Sequence, residues 1–246
     1  MTRRLTWINP GEPIPPTANA LTQDDGANGL LAAGAELTTE RLIEAYPKGV
    51  FPWFSEGEPV LWWTPDPRMV LMLDEFKISA SFRKIIKRAV HDPELTIVAD
   101  ADFARTMESC GAPRAQQSGT WINPIMMTAY RGLHAMGLAH SVEVHRAGEV
   151  VGGLYCVAIG RMVFGESMFS RESNASKLAL AALVAWMRRH GGLVIDCQQR
   201  THHLASLGGR EIARSVFESM ITPLVKDAPL PWAAEPITRN VLCDLE

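Results

Sequence analysis

The sequence predicts an α+β protein, built as an antiparallel three-stranded meander, a helix and a late crossover strand, behind a small N-terminal α/β unit. Three observations carry this expectation. Residues 141–170 contain three strand-like runs, SVEVH, VVGGLYCVAI and MVFGESMF, joined by the turn signals AGE and GR. An apolar run from about Asn174 to His190 reads as a helix stopped by Gly191–Gly192, and LVIDCQ follows as a fourth strand. Charge and proline divide the chain near Pro65–Arg68. Residues 1–66 carry 4 basic and 9 acidic residues (net -5), residues 67–246 carry 20 and 18 (net +2), and 9 of the 16 prolines lie in the first 67 residues. A small domain over 1–66 and a larger one over 67–246 are therefore expected.

Each element has a local cause. Thr38 caps a short helix whose apolar face is Leu42, Ala45 and Tyr46, and Pro47 and Gly49 end it. Ser79 caps the helix that opens the larger unit. Asn123 with Pro124 at the first helical position starts another, which Gly137 stops. Two short helical segments follow LVIDCQ. The order strand, strand, strand, helix, strand, helix is that of the GNAT-like N-acyltransferase fold. Acetyl-CoA enzymes of that fold cradle pyrophosphate on a glycine-rich loop before the helix. Here the link reads SRESNASK, without glycine, so an acetyl-CoA site is not expected. Beyond about Thr222 the chain is proline-rich and without motif, and is expected to be mobile.

Composition excludes several classes. With 246 residues, 47% hydrophobic and 21% charged, the chain is neither disordered nor fibrous. A net charge of -3 rules out a wholesale basic nucleic-acid binder while leaving room for a local patch. No stretch approaches the roughly 18 apolar residues of a membrane span. The N-terminal MTRRLTWINP lacks the apolar core of a signal peptide. Cys110, Cys156, Cys197 and Cys243 are scattered, which argues for reduced thiols, no zinc site and a cytoplasmic home.

Three groups of residues could carry chemistry. In SFRKIIKRAV, Arg83, Lys84, Lys87 and Arg88 share one helical face opposite Phe82, Ile85, Ile86 and Ala89. That face is either simply solvated or a patch for nucleic-acid phosphates. Glu166 in VFGESMF and Asp196 in LVIDCQ put carboxylates into apolar strands, alongside Met168 and Gln198 respectively. Each is costly unless partnered. Either Arg171, Lys177 or Arg200 pairs with them structurally, or they mark a site that needs negative charge or a proton acceptor. Trp53, Trp62–Trp63 and Trp121 sit in turn-rich segments, as core residues or as walls of an apolar pocket. His202–His203 is a weak metal signal. No G-x-S-x-G elbow and no Walker loop is present.

Taken as words, NGLLAAGAEL, GVFPWFSEGEPVLWWTPDPR, SGTWI, HSVEV, VGGLYCVAIG, FGESMFSRESNASKLAL and IDCQ…THHLASLGGREI resemble the bacterial leucyl/phenylalanyl-tRNA–protein transferases, in register from about residue 28 to 217. The resemblance implies a small N-terminal domain on a GNAT-like domain related to the Fem peptidyltransferases. It also implies transfer of Leu or Phe (Met less well) from aminoacyl-tRNA to a protein's N-terminal Lys or Arg. The product carries an N-degron, and no ATP, metal, CoA or other cofactor is needed. Under this resemblance Asp196 and Gln198 lie at the catalytic centre. Gln198 holds the amine or carbonyl, Asp196 polarises that contact, and Glu166 lies beside the terminal adenosine or the acceptor. Trp53, Trp121, Met168 and Leu154 form the pocket, with Tyr46 and Tyr130 at its rim. Arg83, Lys84, Lys87 and Arg88 meet the acceptor stem. His145 stands where tryptophan is usual and Gly209 where alanine is common. The competing readings are a CoA-dependent GNAT-like acyltransferase, a noncatalytic tRNA-binding protein and, more remotely, a metal-dependent nuclease on Glu166 and Asp196.

Overall fold

The structure, a computed structural model, describes residues 4–112 and 122–246. Strands β1 (Thr6–Ile8), β2 (Leu30–Gly34), β3 (Phe51–Pro52) and β4 (Val60–Trp63) form a four-stranded sheet in the order β1-β2-β4-β3. Helix α1 (Thr39–Ala45) connects β2 to β3. The Thr38 side chain accepts from the Arg41 amide at its start, and after a 3-10 turn over Tyr46–Lys48 the left-handed Gly49 ends the segment.

The second sheet follows at once with β5 (Arg68–Met72). After it come α2 (Ala80–His91), β6 (Leu95–Ala99), α3 (Phe103–Gly111), α4 (Pro124–Ala135), β7 (Ala139–Arg146), β8 (Glu149–Ile159) and β9 (Met162–Ser170). The chain continues through α5 (Ala175–Arg189), β10 (Val194–Gln198), α6 (His202–Ser206), β11 (Arg210–Ile212) and α7 (Arg214–Leu224). The sheet order is β11-β5-β10-β9-β8-β7-β6. The expected meander β7-β8-β9 is antiparallel, and α5 carries the chain over to β10, which joins β9 in parallel. The molecule is thus mixed α+β. β5, β6, β11 and α3 are elements the sequence reading did not resolve.

Apolar layers cover both faces of the large sheet. One combines α1, α3, α4, α7 and the small sheet, and includes Tyr46, Trp62, Tyr130, Tyr155 and Phe217. The other combines α2, α5 and the C-terminal segment. This explains a difference from the sequence reading: SVEVH alternates in polarity, yet β7 is buried on both faces from Ala139 to Val144. Its Glu143 is satisfied inside by the Ser141 and Thr106 hydroxyls.

The tail corrects a second expectation. Beyond Thr222 the chain does not trail off. Leu230, Trp232, Ile237, Val241, Leu242 and Leu245 are buried, and the Trp186 indole donates to the Glu235 carbonyl at 2.7 Å. The tail covers the outer side of α5, so that helix is buried from Leu178 through Met187 and can be apolar all round.

Candidate active site

β9 and β10 pair only at Ile195–Val163 and Asp196–Phe164, and beyond that point no ladder joins them. A cavity of about 1100 Å³ lies there, bounded by both strands, by β8, by the N-terminal half of α5 and by Phe51–Trp53. Each strand carries a bulge at this point. On β9, Tyr155 faces Ser167 and Cys156 faces Gly165, which leaves Glu166 as the extra residue. On β10, Asp196 faces Val70 and Gln198 faces Met69, leaving Cys197 as the extra one. Bulges of this kind re-aim side chains out of the ladder. Gln198 also takes a left-handed backbone, φ 62.

The two re-aimed side chains meet at the floor of the cavity. Gln198 Nε2 donates to Glu166 Oε1 at 2.9 Å, the Tyr46 hydroxyl to the same oxygen at 2.7 Å, and the Tyr130 hydroxyl to Oε2 at 3.1 Å. The two phenol oxygens are 2.5 Å apart. Burial pushes the Glu166 carboxyl up to about 7; the tyrosine donors pull it back, the nearby Asp196 charge adds to the rise, and Gln198 again opposes it. Burial, and then the Glu166 charge, hold both phenols well above their ordinary value, so they remain donors. The floor is therefore a carboxyl group that exchanges its proton near neutrality, held by three neutral donors.

Asp196 lies behind this floor. It is fully buried and does not line the cavity. Its Oδ1 accepts from Arg68 Nε at 2.8 Å and from the Gln198 amide at 2.9 Å, and its Oδ2 from Arg68 Nη2 at 2.6 Å. Two of the three structural partners expected from the sequence are engaged elsewhere. Arg171 donates to the Val150 carbonyl and the Ser109 hydroxyl, and Arg200 pairs with Glu211. Arg68 is the residue that sequence reasoning missed. The signal was available, since a lone charge in the apolar run RMVLM is the same anomaly that singled out Glu166 and Asp196.

Leu154 and Met168 face each other across β8 and β9 and line the cavity with Leu180, Leu183 and Ile195. Trp53 stands at its edge, 43% exposed, with its ring 5.8 Å from that of Trp63. Tyr46 and Tyr130 correct the sequence reading: neither is at a rim. Both are completely buried beneath the floor as the donors to Glu166. Trp121 lies outside the described residues. Arg83, Lys84, Lys87 and Arg88 are all exposed on α2, over the buried Phe82, Ile86 and Ala89. Asp92, just past α2, pairs with Arg146, which pairs in turn with Glu172 in the link between β9 and α5. That chain of charges joins the end of the basic helix to the mouth of the cavity, where Ser170 and Arg171 lie. His203 lines the cavity wall, and among the described residues no group of three His, Cys, Asp or Glu side chains is placed to hold a metal ion.

Comparison with known proteins adds the following. A family model described as leucyl/phenylalanyl-tRNA protein transferase matches residues 70–222, and the model of that family's N-terminal domain matches residues 35–66. The chain is 52% identical over 242 residues to a leucyl/phenylalanyl-tRNA–protein transferase of Paraburkholderia phymatum, covering 98% of each chain. It is 54% identical over 229 residues to one of Burkholderia pseudomallei, covering 93% of this chain and 90% of that one. Among solved structures it is similar to FemX, at 11% identity and a TM-score of 0.43, over 90% of this chain and 84% of the other.

Proposed function

The chain belongs to the leucyl/phenylalanyl-tRNA protein transferase family, a family of aminoacyltransferases, and from that premise we propose how its cavity works and on what. It takes Leu or Phe, and Met less well, from aminoacyl-tRNA and joins it to the N-terminal Lys or Arg of an acceptor protein, which marks the product for N-degron proteolysis. The observation that carries the reading is Glu166, a carboxyl with three neutral donors at the floor of an apolar-walled cavity.

The chemistry follows from what the substrates lack. The ester to tRNA is already activated, but an N-terminal amine is mostly protonated at neutral pH, with an ordinary pKa of about 7.7–8. The amine must lose a proton before it can attack. Glu166, at about 7, is matched to accept that proton and is held where the reacting atoms would sit. The amine nitrogen then bonds to the ester carbonyl carbon, the bond from that carbon to the tRNA ribose oxygen breaks, and the proton passes to the leaving hydroxyl. Gln198, fixed by its amide nitrogen on Glu166, orients the amine or the carbonyl. No cofactor is required.

Selectivity comes from shape. Leu154, Met168 and Trp53 form the apolar walls that admit Leu or Phe and would clash with a β-branched residue. The exposed cationic face of Arg83, Lys84, Lys87 and Arg88 takes the phosphates of the acceptor stem, with a log-log salt slope of about -3 to -4 if all four engage.

The deciding experiment follows labelled leucine from Leu-tRNA to peptides beginning with Lys, Arg or Glu, with acetyl-CoA as an alternative donor. Transfer to Lys and Arg peptides alone is expected. Tight binding of Leu-tRNA without transfer would point to a different acceptor, and transfer from acetyl-CoA would overturn the donor assignment.

A further inference from the structure

We propose that Arg68 is a positioning residue for the transfer: its guanidinium clamps the two backbone segments that deliver Gln198 and Tyr46 to Glu166, and Asp196 serves it as counter-ion without acting on substrate. This rests on the reading of the floor given above.

The guanidinium spends all three nitrogens on fixed partners. Nε and Nη2 form a two-pronged contact with Asp196, and Nη1 donates to the Gly49 carbonyl at 2.9 Å. On the Asp196 side the hold continues to Gln198, whose amide donates to Asp196 Oδ1 while its backbone sits at φ 62. A non-glycine residue keeps that conformation only where its surroundings impose it. On the other side Gly49 closes the turn that starts at Tyr46, its amide donating to the Tyr46 carbonyl at 2.9 Å. One side chain thus ties together two of the three donors that Glu166 receives.

The environment suits a fixed clamp. Arg68 and Asp196 are fully buried, and neither lines the cavity. The Phe51 and Phe217 rings lie 4.9 and 4.6 Å from the guanidinium carbon, so the charge is enclosed by aromatic faces. Asp196, unlike Glu166, is walled off from the cavity, which leaves its carboxylate out of reach of an amine there. The planar fork is what the role requires, and a lysine ammonium cannot reproduce it.

The test measures kcat and KM for Leu-tRNA in Arg68→Lys, Asp196→Asn and the double variant, with folding checked by circular dichroism. Each single substitution is expected to lower kcat about 100-fold, as a displacement of reacting groups by about 1 Å does, with KM within about twofold. The double variant should lose no more than the worse single one, because both changes break one unit. Losses that multiply to about 10⁴-fold, an Arg68→Lys enzyme at the wild-type kcat, or an effect on KM alone would each overturn the proposal. Should a single variant fail to fold, the double variant Arg68→Gln/Asp196→Asn, which buries no charge at all, decides alone: a loss of about 100-fold supports the clamp, while a wild-type rate or a loss of about 10⁴-fold refutes it. Glu166→Gln, measured in parallel, separates the two levels. An unaffected Glu166→Gln enzyme would sink the reading of the floor, while the coupling of Arg68 to Asp196 is judged by the double variant.

Discussion

Replacing Glu166 by Gln removes the group whose proton affinity the fold changes most usefully, and its effect on stability can be worked out in advance. The fold raises this carboxyl from an ordinary 4.5 to about 7. Below about pH 4.5 it is protonated in both the folded and the unfolded chain and favours neither. As pH rises from there through 7 the unfolded chain gives up the proton first, so the native state binds more protons and loses stability. At 1.36 kcal/mol per pKa unit, the full loss by pH 8 is about 3.4 kcal/mol. The carboxylate faces an open cavity and is only partly covered, so water screens it and that figure is a ceiling; about 2 kcal/mol is the working expectation. The Gln side chain carries no charge and escapes this penalty. Urea unfolding of both proteins at pH 4, 5, 6, 7 and 8 should show the variant gaining on wild type by about 2 kcal/mol across the range, most of it between pH 5 and 7, while it loses transfer activity. Parallel stability curves would mean that Glu166 keeps an ordinary affinity for its proton, and the proton-accepting role would fall with it.

Further outcomes follow from the same geometry. Tyr130→Phe removes a donor that favours the charged carboxylate, so the acid limb of the kcat–pH profile should move upward; a downward shift or none would contradict the arrangement at the floor. Changing Lys84, Lys87 and Arg88 together to Gln should weaken Leu-tRNA binding and flatten its log-log salt slope by about 2–3, with kcat at saturation unchanged. Arg83 is left out because its guanidinium also holds the Leu245 carbonyl. Met168→Ala should raise the preference for Phe-tRNA over Leu-tRNA about tenfold in kcat/KM, and an unchanged ratio would remove Met168 from the pocket wall. In Gly152→Val the new Cβ would lie 2.5 Å from that of Ala175 at the start of α5, so thermal unfolding should report a loss of about 1–3 kcal/mol.

What the sequence disclosed was local, and what it withheld was pairing. Thr38, Ser79 and Asn123 are visible as caps because each acts within three residues, and each accepts the expected backbone amide. The meander was legible from turn chemistry and apolar runs. β5 was not, because RMVLM is a short apolar run whose neighbours in the sheet, β10 and β11, come far later in the chain. Glu166 and Asp196 stood out as charges in apolar strands, yet their partners could not be named: Tyr46 is 120 residues from Glu166, and Arg68 is 128 from Asp196. The rim position expected for Tyr46 and Tyr130 failed for the same reason, since only the tertiary arrangement shows that they face the carboxylate from below. The tail misled because it buries scattered apolar residues through a 3-10 segment, which leaves no periodicity to read.

The floor draws Tyr46 from the turn after α1, Tyr130 from α4, Glu166 from β9 and Gln198 from β10, so no fragment shorter than residues 46–198 contains it. During synthesis the carboxyl group meets its last donor only after Gln198 has emerged, by which time most of the polypeptide has been made. Closing a loop of this length adds little to the cost of stability but delays the event, since such contacts form after the local ones. A chain that ends before Gln198 lacks one of the three donors to Glu166, so the floor is complete only once β10 has joined the large sheet.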